Sequence, residues 1–147
     1  MNRSGYSEDI DDNWALIKFR GQVASAIRGK RGQTFLREMA EALDAMPEKR
    51  LIAHELRQAG EVCAIGSVGV RRGVELEALD PEDPDTIAGV FGVARPLVQE
   101  IEWENDEGSF GPETPEQRWR RMRAWVSSQI LPETPHHPRA LARRGAA

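Results

Sequence analysis

The chain has 147 residues, of which 39% are hydrophobic and 30% charged, and its formal net charge is −4. This composition excludes a chain that is disordered throughout and one that is embedded in a membrane, and the length is typical of one domain with its own core. One cysteine, Cys63, and three histidines exclude an internal disulfide and a closed zinc site built from soft ligands.

The beginning of the chain carries no targeting signal that we recognise. Residues 1 to 12 lack the apolar stretch of a signal peptide, and no window approaches the roughly 20 apolar residues of a bilayer crossing. We therefore expect a cytoplasmic protein that does not bind membranes.

Two amphipathic helices are predicted in the first third of the chain. The first begins after Asp12 and ends at Gly29, because a glycine tolerates the left-handed conformation of a helix terminus. Its apolar residues are Trp14, Ile17, Val23, Ala24 and Ile27. The second ends before Pro47 and repeats the helical spacing. Its apolar residues are Phe35, Leu36, Met39, Leu43 and Met46. The short connection predicts a helical hairpin.

Residues 51 to 70 favour a short β-hairpin followed by a buried helix. The run LIAHEL fits a strand or a helical turn, and VCAIGSVGV is apolar with two glycines. Gly66 and Gly69 lie three residues apart, so on a helix they share one face and allow another element to approach closely.

Helix starts are indicated twice in the second half of the chain. Asp83-Pro84 places a capping acid before a proline at the first helical position. Thr114-Pro115-Glu116-Gln117 is a capping box, and the helix after it has the apolar face Trp119, Met122, Val126 and Ile130. We predict a mainly α fold, a compact bundle of about five helices with at most a short β-hairpin near residues 51–63. A single helical domain would span residues 1–131, and residues 132–147 would form a flexible or docked tail.

Residues 86 to 101, TIAGVFGVARPLVQEI, resemble a DNA-binding helix-turn-helix. The small, glycine and apolar positions of that motif fall at Ala88, Gly92, Val93, Val98 and Ile101. Arg95 and Gln99 would then face base edges. The neighbouring acids deprive such a motif of the phosphate neutralisation on which affinity depends, so two core helices joined by a glycine turn are the alternative.

The connection between the first two helices is basic. Arg28, Lys30 and Arg31 alternate with glycines just before a helix start, where a phosphate group or an acidic protein could bind. The spacing of a P-loop is absent, so an ordinary basic connection is the alternative.

The last helix carries four arginines, Arg118, Arg120, Arg121 and Arg123. They follow an acidic block, since residues 75 to 116 contain one Arg against thirteen Asp and Glu. The arginines either pair with acids of that block, such as Glu102 or Asp106, or form a partner-binding face, and we predict the latter.

Catalysis has little support in the sequence. Cys63, His54 and Asn105 or Asp106 could complete a thiol constellation, but no local pattern marks a thiol hydrolase, and a buried cysteine is the ordinary alternative. The carboxylates from Glu102 to Glu107 lack the order of a calcium loop. We expect no enzyme, no metal and no cofactor.

Several segments together are similar to a family of small accessory proteins from tailed bacteriophages and prophages. The similarity covers about residues 6 to 130 and rests on four segments: FRGQVASAIRGKRGQTFLREMAEALDAMPEKRLIAHEL, EVCAIGSVGVRRGVELEALDPEDPDTIAGVFGVA, ENDE and ETPEQRWRRMRAWV. It implies a protein made inside the bacterial host cell. The class includes regulators, helpers of DNA metabolism and inhibitors of host defence such as anti-CRISPR proteins.

These observations favour a non-enzymatic protein that binds a host or phage protein complex stoichiometrically, with inhibition of a defence complex as one use. A helix-turn-helix-like DNA-binding protein is the alternative, and a Cys63-dependent enzyme is a distant third.

Overall fold

The computed structural model describes residues 3–4 and 13–133. Within those residues the fold is mainly α-helical, as predicted, with one two-stranded hairpin. The elements in chain order are α1 (Asn13–Arg28), α2 (Lys30–Ala45), β1 (Arg57–Gln58), β2 (Glu61–Val62), α3 (Ala64–Arg72), a 3-10 turn (Leu76–Ala78), α4 (Pro84–Phe91), α5 (Arg95–Glu107) and α6 (Pro115–Gln129).

Helix α2 lies at the centre of the core. Its apolar residues recur at helical spacing, and this face packs on α3 and α6. The fully buried side chains on it are Phe35, Leu36, Met39 and Leu43. They belong to one hydrophobic cluster that reaches from Phe35 to Val126, so the described residues share a single core.

The predicted hairpin is confirmed, and it is short. Arg57 pairs with Val62 and Gln58 with Glu61 in antiparallel register. The turn residues Ala59 and Gly60 both have positive φ angles, the geometry that tight hairpins require.

The predicted buried helix is α3, and both of its glycines are closely approached. A Cβ atom on Gly66 would lie 2.2 Å from the Leu56 carbonyl oxygen. A Cβ atom on Gly69 would lie 2.6 Å from Leu76 Cδ2. The absence of side chains at these positions therefore lets the hairpin and the 3-10 turn pack directly on the helix.

Helices α4 and α5 form the predicted pair joined by a glycine turn. Asp83 caps α4, and Gly92 ends it with a φ of 72°. Helix α5 then runs through the middle of the molecule, with α1, α3, α4 and α6 as neighbours.

The first predicted helix is confirmed as α1, but the first part of its apolar face is exposed. Trp14 and Ile17 are 76% and 61% exposed, and among the residues of α1 only Val23 is fully buried. Ala26 and Ile27, near the end of α1, pack against the core, so the apolar stripe of this helix extends beyond the part that reaches the core.

The capping box of α6 is confirmed. Thr114 accepts a hydrogen bond from the Gln117 amide, and the Gln117 side chain accepts one from the Thr114 amide. Met122 and Val126 are buried, whereas Trp119 lies at the edge of the core and donates its indole N–H to the Leu43 carbonyl. Of the predicted tail, residues 134–147 lie outside the described residues.

In the described part of the chain, no helix combines the length and the apolar character that a membrane crossing needs.

Candidate functional site

The arginines of α6 are largely engaged inside the molecule. Arg118 donates to the carbonyl oxygens of Leu51 and Asn105 at 3.1 and 3.2 Å. Arg121 binds both carboxylate oxygens of Glu113, at 2.7 and 3.0 Å, and also donates to the Glu104 and Asn105 carbonyls. These two side chains fasten α6 to the end of α5 and to the loop before the hairpin.

The two remaining arginines of α6 differ from each other. Arg123 forms a two-point ion pair with Asp44 of α2, at 2.7 and 3.0 Å. Arg120 is exposed and has no ion pair with a described residue. The partner-binding face predicted here stays a prediction. Among contacts between described residues, Arg120 is the only one of the four arginines with no hydrogen bond or ion pair to break.

The ion pairs also account for several pKa shifts of neighbouring acids. Hydrogen bonds from Arg121 hold the pKa of Glu113 below its usual value, and those from Arg123 do the same for Asp44. Burial raises the pKa of Glu104, against the charge of Arg121. The acidic block is thus partly neutralised by the α6 arginines.

The two candidate DNA-reading residues of the helix-turn-helix-like pair differ in exposure. Arg95 is exposed at the start of α5, where it pairs with Asp85 at 3.3 Å. Gln99 is 7% exposed and donates to the Ser4 carbonyl at 2.9 Å. In this arrangement Gln99 cannot reach a base edge, because it is buried and its amide is bonded to Ser4.

A broad groove lies at the connection between α1 and α2. Its volume is about 780 Å³, and its sides are α1, the first turn of α2 and the first turn of α5. Much of its floor is formed by small residues: Gly21, Ser25, Ala26, Gly29 and Gly32. At Gly21 no neighbouring atom lies within 4 Å of the position that a Cβ would take, so a bound chain could come close to the backbone there.

The groove is positively charged. Lys18, Lys30 and Arg31 line it, and Arg28 lies beside it at the end of α1. All four side chains are exposed, and none has an ion pair with a residue in the described part of the chain. The predicted basic connection therefore forms one wall of a groove, and Lys18, earlier on α1, adds a further cation.

Two helices begin at this groove without a side-chain cap. Gly29 precedes α2 and Ala94 precedes α5, and neither residue has a polar side chain that could accept a hydrogen bond from the first turn. Free N–H groups at a helix start carry partial positive charge. The uncapped start of α2 therefore favours an anionic group in the groove. The start of α5 adds little, because Pro96 has no N–H and the Leu97 amide bonds the Ala94 carbonyl.

A smaller groove of about 250 Å³ continues from the first and shares Lys30 and Arg31 with it. Apolar side chains, Phe35, Phe91 and Val93, line it together with Arg72. Arg72 is held in place by Glu38 and by the Phe91 carbonyl.

A second polar cluster lies on the other side of α5, and it includes the thiol constellation considered from the sequence. Asn105 accepts from the Ala64 amide at 3.1 Å, beside Cys63. The His54 amide donates to Asp106 at 3.1 Å, and His54 has a φ of 71°. Cys63 itself is 1% exposed, and its sulfur accepts from the Gly66 amide at 3.4 Å, so it acts as the cap of α3.

Arg3 occupies the centre of this cluster. Its guanidinium binds both oxygens of Asp106, at 2.6 and 2.9 Å, and its Nε lies 3.3 Å from Glu102. Burial raises the pKa of Glu102 to about 8, which the charge of Arg3 opposes. Burial also raises the pKa of the Cys63 thiol, so the thiol is protonated in this state.

Sequence reasoning missed Arg3, Lys18 and the role of Glu102. One signal was present, since Gln99, Glu102 and Asp106 are polar at positions i, i+3 and i+7 of one helix face. Nothing near Arg3 or Lys18 in sequence links them to these sites, because both reach their partners only through the tertiary structure. In the described part of the chain, no group of three or more His, Cys, Asp or Glu residues could hold a metal ion.

Comparisons with models of protein families, with curated proteins and with solved structures find no match.

Proposed function

We propose that this protein acts by non-covalent, stoichiometric binding, and that the groove between α1, α2 and the start of α5 holds an acidic segment of a partner protein. The observation that carries the proposal is the group of exposed cations, Lys18, Arg28, Lys30 and Arg31, without a carboxylate partner among the described residues. By contrast, the cations of α6 are mostly paired.

The groove suits carboxylates on an extended segment. The uncapped start of α2 favours negative charge, and the open space at Gly21 lets a chain approach the backbone. The adjoining apolar groove would receive a neighbouring apolar side chain of the same segment. A segment that combines acidic and apolar residues is therefore the expected partner.

A protein partner is favoured over nucleic acid by the charge of the whole chain. Affinity for a duplex comes mostly from neutralised phosphates, and this groove offers about four cations on a chain with a net charge of −4. The similarity to phage accessory proteins favours a host or phage complex as the target, and inhibition of a defence complex is the use that we propose for such binding.

DNA binding is the second candidate. It is favoured by the helix pair α4–α5 and by the exposed Arg95 at the start of α5, next to the basic groove. The burial of Gln99 and the acidic residues of α5 count against it.

The groove can be tested with Lys30→Glu and Arg31→Glu combined. Both side chains are exposed near a helix start, where acids are tolerated, so the variant should fold. We expect the wild type to bind a fluorescent peptide of alternating Glu and Leu with an affinity that falls as salt rises, and the variant to bind at least about tenfold more weakly. Fluorescence anisotropy measures both.

The matched control is Arg71→Glu with Arg120→Glu, which reverses two exposed cations outside the groove. We expect this control to bind like the wild type. If it loses binding and the groove variant does not, the partner face lies elsewhere. If a DNA duplex binds more tightly than the peptide at equal ionic strength and the groove variant loses it, nucleic acid is the partner.

A further inference from the structure

Residues 75 to 85, here called the acidic loop, run from the end of α3 into the first turn of α4. They contain six Asp and Glu and no Lys or Arg. One of the six, Asp83, caps α4 with its side chain. The other five are exposed: Glu75, Glu77, Asp80, Glu82 and Asp85. The acidic loop is therefore a negatively charged surface.

Only two of the five exposed acids have an ion pair with a described residue. Glu77 lies 3.5 Å from Arg57, and Asp85 lies 3.3 Å from Arg95. All four of these side chains are at least 40% exposed, so the pairs contribute little free energy and can exchange partners. The acidic loop thus has negative charge that a second molecule can use.

The acidic loop is fixed to the core. Leu76 is 2% exposed and lies against Gly69 of α3. The Val74 amide, just before the loop, donates to the Gly69 carbonyl at 2.9 Å. Within the loop, the Glu82 amide donates to the Asp80 carboxylate at 2.9 Å. A surface that is already ordered loses little conformational entropy when it docks on another molecule.

The acidic loop and the basic groove are neighbours on the molecule. Asp85, at the end of the loop, pairs with Arg95, and the residues on either side of Arg95, Ala94 and Pro96, line the groove. No residue of the loop lines the groove of its own molecule. Two surfaces of opposite charge that lie side by side are self-complementary, because a second copy turned about a two-fold axis brings each surface against the other.

We propose that the acidic loop of one copy docks in the basic groove of a second copy, and that the contact repeats about a two-fold axis to give a symmetric dimer. This inference rests on the proposed function, since the groove takes an acidic segment in both. The charges match, because four groove cations meet five exposed acids. Dimerisation and partner binding use the same groove, so each excludes the other and an acidic partner must displace the second copy.

Sedimentation velocity over a concentration series measures the dimer. We expect the wild type to dimerise, and to do so more weakly as salt rises. Glu75→Lys combined with Glu82→Lys reverses two exposed acids that have no ion pair among the described residues, so the circular dichroism spectrum should not change. Dimerisation should weaken at least about tenfold in this acidic-loop variant, and equally in the groove variant Lys30→Glu with Arg31→Glu.

An equimolar mixture of these two variants is the decisive sample. Each variant alone places like charges across the interface, whereas in the mixture both contacts bring opposite charges together, so dimers should return. The matched control is Glu41→Lys with Glu48→Lys, which changes the net charge equally at exposed acids outside the loop and should dimerise like the wild type. A wild type that stays monomeric at low salt, a mixture that stays monomeric, or a control that loses the dimer overturns the proposal.

The fluorescent peptide of Glu and Leu separates this inference from the proposed function. The acidic-loop variant keeps its groove, so it should bind the peptide at least as tightly as the wild type does. Peptide binding by a wild type that never dimerises overturns the inference and leaves the proposed function standing. Dimers that the mixture restores, in a protein that does not bind the peptide, support the inference and show that the groove holds only a second copy of this chain.

Discussion

Glu102 is a fully buried carboxyl group with no hydrogen bond to a described residue. Burial raises its pKa to about 8 from an ordinary value of 4.5. The folded state therefore keeps a proton that the unfolded state releases between these two pH values. Stability contributed by the protonated group is fully present below about pH 4.5 and is lost as the pH rises to about 8.

Glu102→Gln should remove this loss of folding stability at high pH, because the amide has a similar shape and does not ionise. At pH 5 we expect the variant and the wild type to be similarly stable. At pH 9 the variant should be more stable by at least about 1.4 kcal/mol, the equivalent of one pKa unit. Urea unfolding at the two pH values measures the difference.

The control for that experiment is Glu107→Gln, since Glu107 is exposed at the end of the same helix. It should show no comparable gain at high pH. A wild type whose stability does not fall between pH 5 and 9 would show that Glu102 ionises freely, and the account of its burial would be wrong.

At the scale of elements, α6 is joined to α5 by arginines more than by apolar contact. Met122 and Val126 are its only fully buried residues in the described structure. Arg121 alone makes hydrogen bonds to Glu113 and to two carbonyls near the end of α5. The arginines that suggested a partner-binding face in the sequence therefore include the residue that holds α6 against α5, Arg121.

We expect Arg121→Ala to destabilise the fold by about 1 to 3 kcal/mol, because the Glu104 and Asn105 carbonyls and the Glu113 carboxylate would lose a charged donor. Arg120→Ala, one position earlier and exposed, should change the stability by less than about 0.5 kcal/mol. Urea unfolding followed by tryptophan fluorescence measures both. Equal effects at the two positions would contradict the assignment of Arg121 as structural.

At the scale of the whole molecule, one hydrophobic cluster joins α2 to α6. The ion pairs connect segments that are distant in sequence, as Arg123 with Asp44 and Arg20 with Glu100 do. The charge blocks of the sequence therefore neutralise one another in part across the fold, and the groove at α1 and α2 brings together several cations that have no carboxylate partner among the described residues.

A single core should unfold in a single step. We expect the urea transitions followed by tryptophan fluorescence and by far-ultraviolet circular dichroism to coincide. Trp103, Trp119 and Trp125 report on α5 and α6 and Trp14 on the start of α1, whereas circular dichroism reports on all helices. Transitions that separate would show that the helices do not unfold as one unit.

The sequence by itself determined the local structure. Helix starts and ends follow from residues within one turn of each other, such as Thr114 with Gln117 and the glycine after α4, so the capping box, the short hairpin and the helix pair were all predictable. The basic connection at Arg28, Lys30 and Arg31 was visible for the same reason.

Only the tertiary structure decided which charged and polar side chains are used internally. Arg118, Arg121 and Gln99 lie on helix faces that a sequence cannot distinguish from solvent-facing ones, and their partners stand 13 to 95 positions away. The charge, polarity and helical spacing of these residues are local properties. Burial and pairing depend on long-range packing, and for that reason the pairing of Arg3 with Asp106 and the position of Lys18 beside Lys30 emerged only from the fold.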